Sequence, residues 1–165
     1  MFRVNCKQNQ GMDTIQSLVS NYPLMCAVAG WFVAQIFKIS TNLLKNRRFG
    51  IVMALFETGG MPSSHSATVS ALATACGIEY GLQSVEFAVA IILSSIVMRD
   101  AVGVRYSAGE QAKRVNHIST TLSSNGMGSF KNDLKELIGH TPLQVVVGAI
   151  LGIIIPFPMY LFYAE

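Results

Sequence analysis

The sequence predicts an all-α fold: a polytopic membrane helical bundle of about four spans, with a further amphipathic helix lying in the interface. Three observations carry that expectation. Charged residues make up only 13% of the 165 positions, against 51% hydrophobic, and the mean hydropathy is +0.43; a soluble domain usually carries about a quarter charged residues. Apolar runs of helical length recur along the chain. Small residues recur at every fourth position in places, which lets helices approach closely where lipid supplies no hydrophobic drive for association.

The length suits one integral membrane domain, 1–165, with no internal repeat. Residues 1–21 are polar, with Arg3 and Lys7 the only cations. They lack the basic region, apolar core and small-residue cleavage site of a secretory signal, so the first apolar run is expected to stay as an anchor. That run, 22–37, is the first span. Residues 66–82, rich in Ala, Ser, Thr and Gly, form the second; just ahead of and within it, Ser63, Ala67, Ala71 and Ala75 recur every fourth residue. Residues 87–98 are strongly apolar but short, and span only if the helix continues through Arg99 towards Val104. Residues 142–163, PLQVVVGAILGIIIPFPMYLFY, include a Gly148-Ala-Ile-Leu-Gly152 motif and are long enough for a hydrocarbon core of about 30 Å.

The stretch 107–138 is not expected to span. Phe130, Leu134, Leu137 and Ile138 keep helical spacing beside Lys131, Asp133, Lys135 and Glu136, the pattern of an interfacial helix. Residues 119–129, STTLSSNGMGS, read as a loop. The three cysteines, Cys6, Cys26 and Cys76, are odd in number and without metal or redox spacing, which argues against a disulfide framework.

Four spans put 38–62 and 99–140 on one side. Those segments hold Lys38, Lys45, Arg47, Arg48, Arg99, Arg105, Lys113, Arg114, Lys131 and Lys135, ten of the twelve basic residues. The positive-inside rule places this face in the cytoplasm.

Two of the three histidines stand immediately before apolar helices on that face. Gly59-Gly60-Met61-Pro62-Ser63-Ser64-His65 is a turn leading into a helix start, with serines suited to capping. Free N–H groups and the positive dipole end at such a start favour an anion. In Gly139-His140-Thr141-Pro142-Leu143-Gln144, Thr141 suits the N-cap, Pro142 the first helical position and Gln144 the third, so Thr-x-x-Gln is a capping box. That explains Thr141 and Gln144 but not His140. His117 lies in the polar connector and reads as a surface residue. Arg99 and Asp100 close an apolar helix, where an ion pair, a snorkelling arginine and a functional cation are all available readings. Gln111 is polar lining or helix surface.

These motifs resemble those of the type 2 phosphatidic acid phosphatase and haloperoxidase superfamily. PSSH is similar to its PSGH signature. His140 to Gln144, followed by an apolar, glycine-bearing helix, resembles its third motif, and Lys38 with Arg47 or Arg48 resembles its first. GGMPSSHSA, RDAVGVRYSAGEQA and LIGHTP together look like its small divergent membrane branch, found in bacteria and plants. The likeness covers about 38–152.

The resemblance implies a phosphohydrolase that uses neither metal nor cofactor and forms a phosphohistidine. Carried over by position, His140 is the nucleophile and His65 the acid and then the base. Lys38, Arg48, Ser63, Ser64, and Arg99 or Arg105 hold the phosphate, with Gln144 and Asp100 in support. Three positions depart from the pattern. Leu134 stands where the third motif has arginine, Gln144 stands where it has aspartate, and Ser64 stands where PSGH has glycine. The implied substrate is a lipid-linked phosphate monoester or diphosphate, with the bilayer, and not nucleic acid, as partner. A non-catalytic lipid-phosphate binder or transporter and a structural membrane subunit are the competing readings, and a homo-oligomer is compatible with each. The expected location is the plasma membrane of a bacterium or an organelle membrane of a plant.

Overall fold

The computed structural model describes residues 14–44, 61–124, Leu134 and 140–163. Every regular element among them is helical. After a helical turn at 14–19, the helices are α1 (Tyr22–Leu44), α2 (Ser64–Glu79), α3 (Val85–Val102), α4 (Val104–Ser124), α5 (Pro142–Ile154) and α6 (Pro156–Tyr163).

Local chemistry sets the boundaries. The Asn21 side chain accepts a hydrogen bond from the Leu24 N–H (3.0 Å) and starts α1. Ser63 caps α2, and Ser84 caps α3 by accepting from the Phe87 N–H (3.1 Å). Between α2 and α3 the chain turns through Gly81 at φ 86, a left-handed conformation that glycine adopts without steric cost. Glu86 and Arg99 sit in the first and last turns of α3, each complementing the helix dipole.

Contacts between the helices fix how they run. Gly148 of α5 faces Ser63, and Gly152 faces Ala67 and Ser70, so α5 is parallel to α2. Gly30 of α1 faces Ala67 and Ala71 while Cys26 packs with Ala75, so α1 is antiparallel. Ser94 donates to the Val69 carbonyl (2.7 Å) and the Ala90 carbonyl (2.8 Å), and Phe87 packs on Gly77, so α3 is antiparallel too. The C-terminal ends of α1 and α3 and the N-terminal starts of α2 and α5 therefore gather at one end of the bundle.

α2 is the axis about which the others pack. Its stripe of Ser63, Ala67, Ala71 and Ala75 is fully buried, at 0% exposure throughout. A side chain at Gly148 would run into the Ser63 backbone, and one at Gly152 into the Ala67 carbonyl and the Ala71 nitrogen. The expected small-residue contacts are thus the contacts that seat α5 on α2. At the opposite end, Tyr22 meets Tyr160 and Tyr163 at centroid distances of 5.8 and 5.5 Å, an aromatic cluster of the kind enriched at membrane interfaces.

Among the described residues, three segments are long and apolar enough to cross a membrane: Tyr22–Thr41, Val85–Ser124 and Pro142–Tyr163. The expected second span appears as α2, whose 16 residues rise only about 24 Å and whose small side chains are buried against its neighbours. Its low apolar content suits a helix shielded from lipid. α1 runs seven residues beyond the expected end at Phe37. The final apolar run is broken at Ile155, because Pro156 has no N–H to continue the ladder; its carbonyl instead accepts from the Tyr22 hydroxyl (2.8 Å).

The expected loop at 119–129 is corrected over its first six residues, which complete α4. Thr120 and Thr121 donate to the His117 carbonyl and Ser124 to that of Thr121, so these hydroxyls are satisfied inside the helix. The remainder of that loop, and the expected interfacial helix at 130–138 apart from Leu134, lie outside the described residues. Leu134 itself is not helical: its N–H and C=O are both held by the Asn116 side chain at 2.9 Å. The described cysteines, Cys26 and Cys76, are buried free thiols.

Candidate functional site

The site forms where α2 and α5 begin side by side. The Ser63 N–H donates to the Gln144 carbonyl (3.1 Å), so the PSSH turn is hydrogen-bonded directly to the first turn of α5. Ser63 also caps α2: its Oγ accepts from the Ser66 N–H (3.4 Å) and the Ser66 hydroxyl (3.1 Å). The Met61–Pro62 peptide ahead of it is cis. Because α2 and α5 are parallel, two positive dipole ends converge here.

This clamp brings His65 and His140 together, with ring centroids 6.5 Å apart and planes inclined by 57°. His65 is exposed, whereas His140 is buried at 6% exposure. The Gln144 Oε1 atom accepts from the Thr141 N–H (3.0 Å) and also meets the His140 Nδ1 (3.2 Å). The first contact settles the second. A backbone N–H only donates, so the amide oxygen faces this side, and an oxygen only accepts, so Nδ1 must carry a proton. In the neutral ring the lone pair is then on Nε2.

α1 supplies the third wall. The Thr41 hydroxyl reaches the Lys38 carbonyl (2.9 Å) and the Met61 carbonyl (3.3 Å), which sets the Lys38 turn beside the PSSH turn. Lys38 is buried at 3% exposure, and Gln35, one turn earlier on the same face, equally so. Neither Gln35 nor Thr41 was anticipated from the sequence. Their signal was a polar residue within an apolar span one turn from a lysine, which is costly in a membrane unless it has a role.

Ser63, Ser64, His65, His140, Gln144 and the Lys38 turn are therefore brought to one place. Arg99 is at the same end, exposed in the last turn of α3, with Asp100 half-buried beside it. Arg105 lies in the first turn of α4, and its side chain is outside the described residues, as are Arg47 and Arg48 altogether. His117 and Gln111 are exposed on α4. Among the described residues no group of three or more His, Cys, Asp or Glu could hold a metal ion.

No solved structure matches the chain. The membrane protein YuiD of Bacillus subtilis (strain 168), described as uncharacterized, is 37% identical over 156 residues, covering 88% of this chain and 98% of that protein. The family model described as "Divergent PAP2 family" matches residues 19–155, which include every described residue of the clamp. This integral membrane chain, whose two histidine motifs are joined through Ser63 and Gln144, belongs to the divergent PAP2 family.

Proposed function

We propose that the protein hydrolyses a lipid-linked phosphate monoester or diphosphate through a phosphohistidine at His140. The observation that carries this reading is the pairing of an exposed and a buried histidine 6.5 Å apart, with His140 Nδ1 held by Gln144. The two imidazoles are close enough neighbours for one phosphate ester to address both, its phosphorus at His140 and its leaving oxygen at His65.

In the first step the Nε2 lone pair of His140 attacks phosphorus, the bond to the leaving oxygen breaks, and protonated His65 supplies that oxygen's proton. In the second, His65 takes a proton from water, the water oxygen bonds to phosphorus, and the N–P bond breaks to release orthophosphate. Lys38, the first N–H groups of α2, and Arg48 with Arg99 or Arg105 supply charge to the equatorial oxygens, the main protein contribution to phosphoryl transfer. The bilayer setting favours a substrate with a hydrocarbon tail. The basic face is read as cytoplasmic, in the plasma membrane of a bacterium or an organelle membrane of a plant.

The direct test is brief exposure of the purified protein to a panel of lipid phosphates carrying labelled phosphorus. Acid-labile label mapping to His140, with release of orthophosphate, is the expected result; saturable lipid binding with neither would favour a binder or transporter on the same fold. That second reading is motivated by Gln144, a neutral residue where the wider superfamily has aspartate.

Gln144 yields a separate prediction. Gln144→Leu removes the acceptor for Nδ1–H and is expected to lower kcat roughly tenfold, as loss of a positioned hydrogen bond of about 1–2 kcal/mol would. Gln144→Asp is expected to keep or exceed wild-type kcat, because a carboxylate holds the same tautomer and stabilises the imidazolium. Equal rates for the leucine and aspartate variants would show that the amide contact is not used.

A further inference from the structure

An apolar groove runs down the lipid-facing side of the bundle from the level of the site, between α2, α3 and α5. It encloses about 480 Å³, counting the part open to its surroundings, and its walls include Ser70, Ala73, Ile91, Met98, Ala149 and Ile153. Its upper end lies at the depth of the clamp: Ala149 follows Gly148, which rests on Ser63, and Met98 is one turn beyond Ser94, which bonds to the Val69 carbonyl. Its lower end is closed by Phe87, whose ring lies against Gly77. From Met98 to Phe87 is eleven residues of α3, about 16 Å at 1.5 Å per residue. That is about half of a hydrocarbon core of about 30 Å, the depth of one leaflet.

We propose that this groove holds one hydrocarbon tail of the lipid phosphate whose head lies at His65 and His140, and that Phe87 sets the depth to which the tail reaches. The inference rests on the phosphate-handling reading of those histidines. Depth and length point to that occupant: the groove begins at the level of the clamp and ends about one leaflet deeper, so a lipid of that leaflet fits without bending. Small residues on α2 and α5 open the space, and the larger side chains of α3 form its outer wall. Moving a tail from lipid into protein yields little hydrophobic gain, because both surroundings are apolar. The groove therefore contributes register and tail-length selectivity, while the phosphate contributes affinity.

The test is photo-crosslinking in vesicles with two probes bearing the same diazirine-tipped tail, one a lipid phosphate and the other the corresponding alcohol. The phosphate probe is expected to label Ile91, Met98 or Phe87 about tenfold more than the alcohol does, and more than the outward-facing Val89, Ile92 and Ile96. Ala149→Leu, which fills the groove, is expected to reduce that labelling about tenfold, in line with overfilling a packed site. Phe87→Ala leaves the mouth untouched and is expected to move the label of a longer-tailed probe deeper, towards Gly77 and Leu82. Equal labelling by both probes, or labelling spread evenly over the outward face of α3, overturns the proposal, as does a label that ignores both substitutions. Groove labelling without orthophosphate release would reject hydrolysis while leaving the tail site standing, so the two readings fail separately.

Discussion

His140→Asn is expected to abolish phosphate release, with a loss of at least roughly 10³-fold in kcat, because removal of a nucleophile leaves only binding and charge stabilisation to act. Asparagine keeps a polar side chain in a pocket where His140 is only 6% exposed, so the fold should tolerate it, and lipid-phosphate binding should persist. His65→Asn makes a sharper companion. The leaving oxygen then lacks its proton donor, so ordinary lipid phosphates should react slowly. An aryl phosphate, whose leaving group departs without protonation, should still transfer its phosphoryl group to His140. Hydrolysis of that intermediate lacks its base, so label should accumulate on His140 in this variant more than in the wild type. Turnover by His140→Asn within tenfold of wild type would remove the covalent mechanism, and absence of accumulation in His65→Asn would remove the assignment of the base.

The second large effect concerns assembly. Gly152→Leu is expected to lower the thermal midpoint in detergent sharply and to reduce the yield of folded protein. The position faces the Ala67 carbonyl, the Ala71 nitrogen and the Ser70 Cβ, and main-chain atoms in the middle of a helix cannot turn aside. Overfilling a packed interior costs about 1–3 kcal/mol, and occasionally more; a leucine against backbone belongs at or above the upper end. Gly152→Ala should fall between. Ile150→Ala, on the outward side of α5 at 53% exposure, is the control and should change the midpoint little. Equal stability of the Leu variant and this control would show that α5 does not need to lie against α2.

Sequence pattern was a good guide where chemistry is carried by type and spacing. The small-residue stripe from Ser63 to Ala75 and the Gly148–Gly152 pair implied close helix contact, and the structure seats them on one another. The Thr141–Gln144 pattern placed the start of α5, and the two histidine motifs proved to be neighbours. Other features were hidden by residue types that behave differently in tertiary context. Lys38 looked like the edge of a span, yet it is buried within α1, where neighbouring helices shelter it. The Ser/Thr-rich run before Ser124 looked like a loop because such side chains compete with helical hydrogen bonding; here they bond back to carbonyls of their own helix. Pro156 sat in an apolar run whose length suggested one span, and no spacing revealed that its carbonyl would accept from the distant Tyr22 hydroxyl. Spacing made Gln144 a cap and the family resemblance made it a support for His140, but neither revealed that one amide oxygen serves both Thr141 and His140.

The hydrogen bond from Ser63 to Gln144 joins the two motifs through main-chain atoms alone. Mutation exchanges side chains and leaves such a bond nearly unaware of the change. Substitutions at Ser64 or Gln144 can therefore alter the chemistry on either side of it, one at a time, while the two helix starts stay in register. The part of the site that keeps its two halves aligned is thus separate from the part that would decide its reactivity.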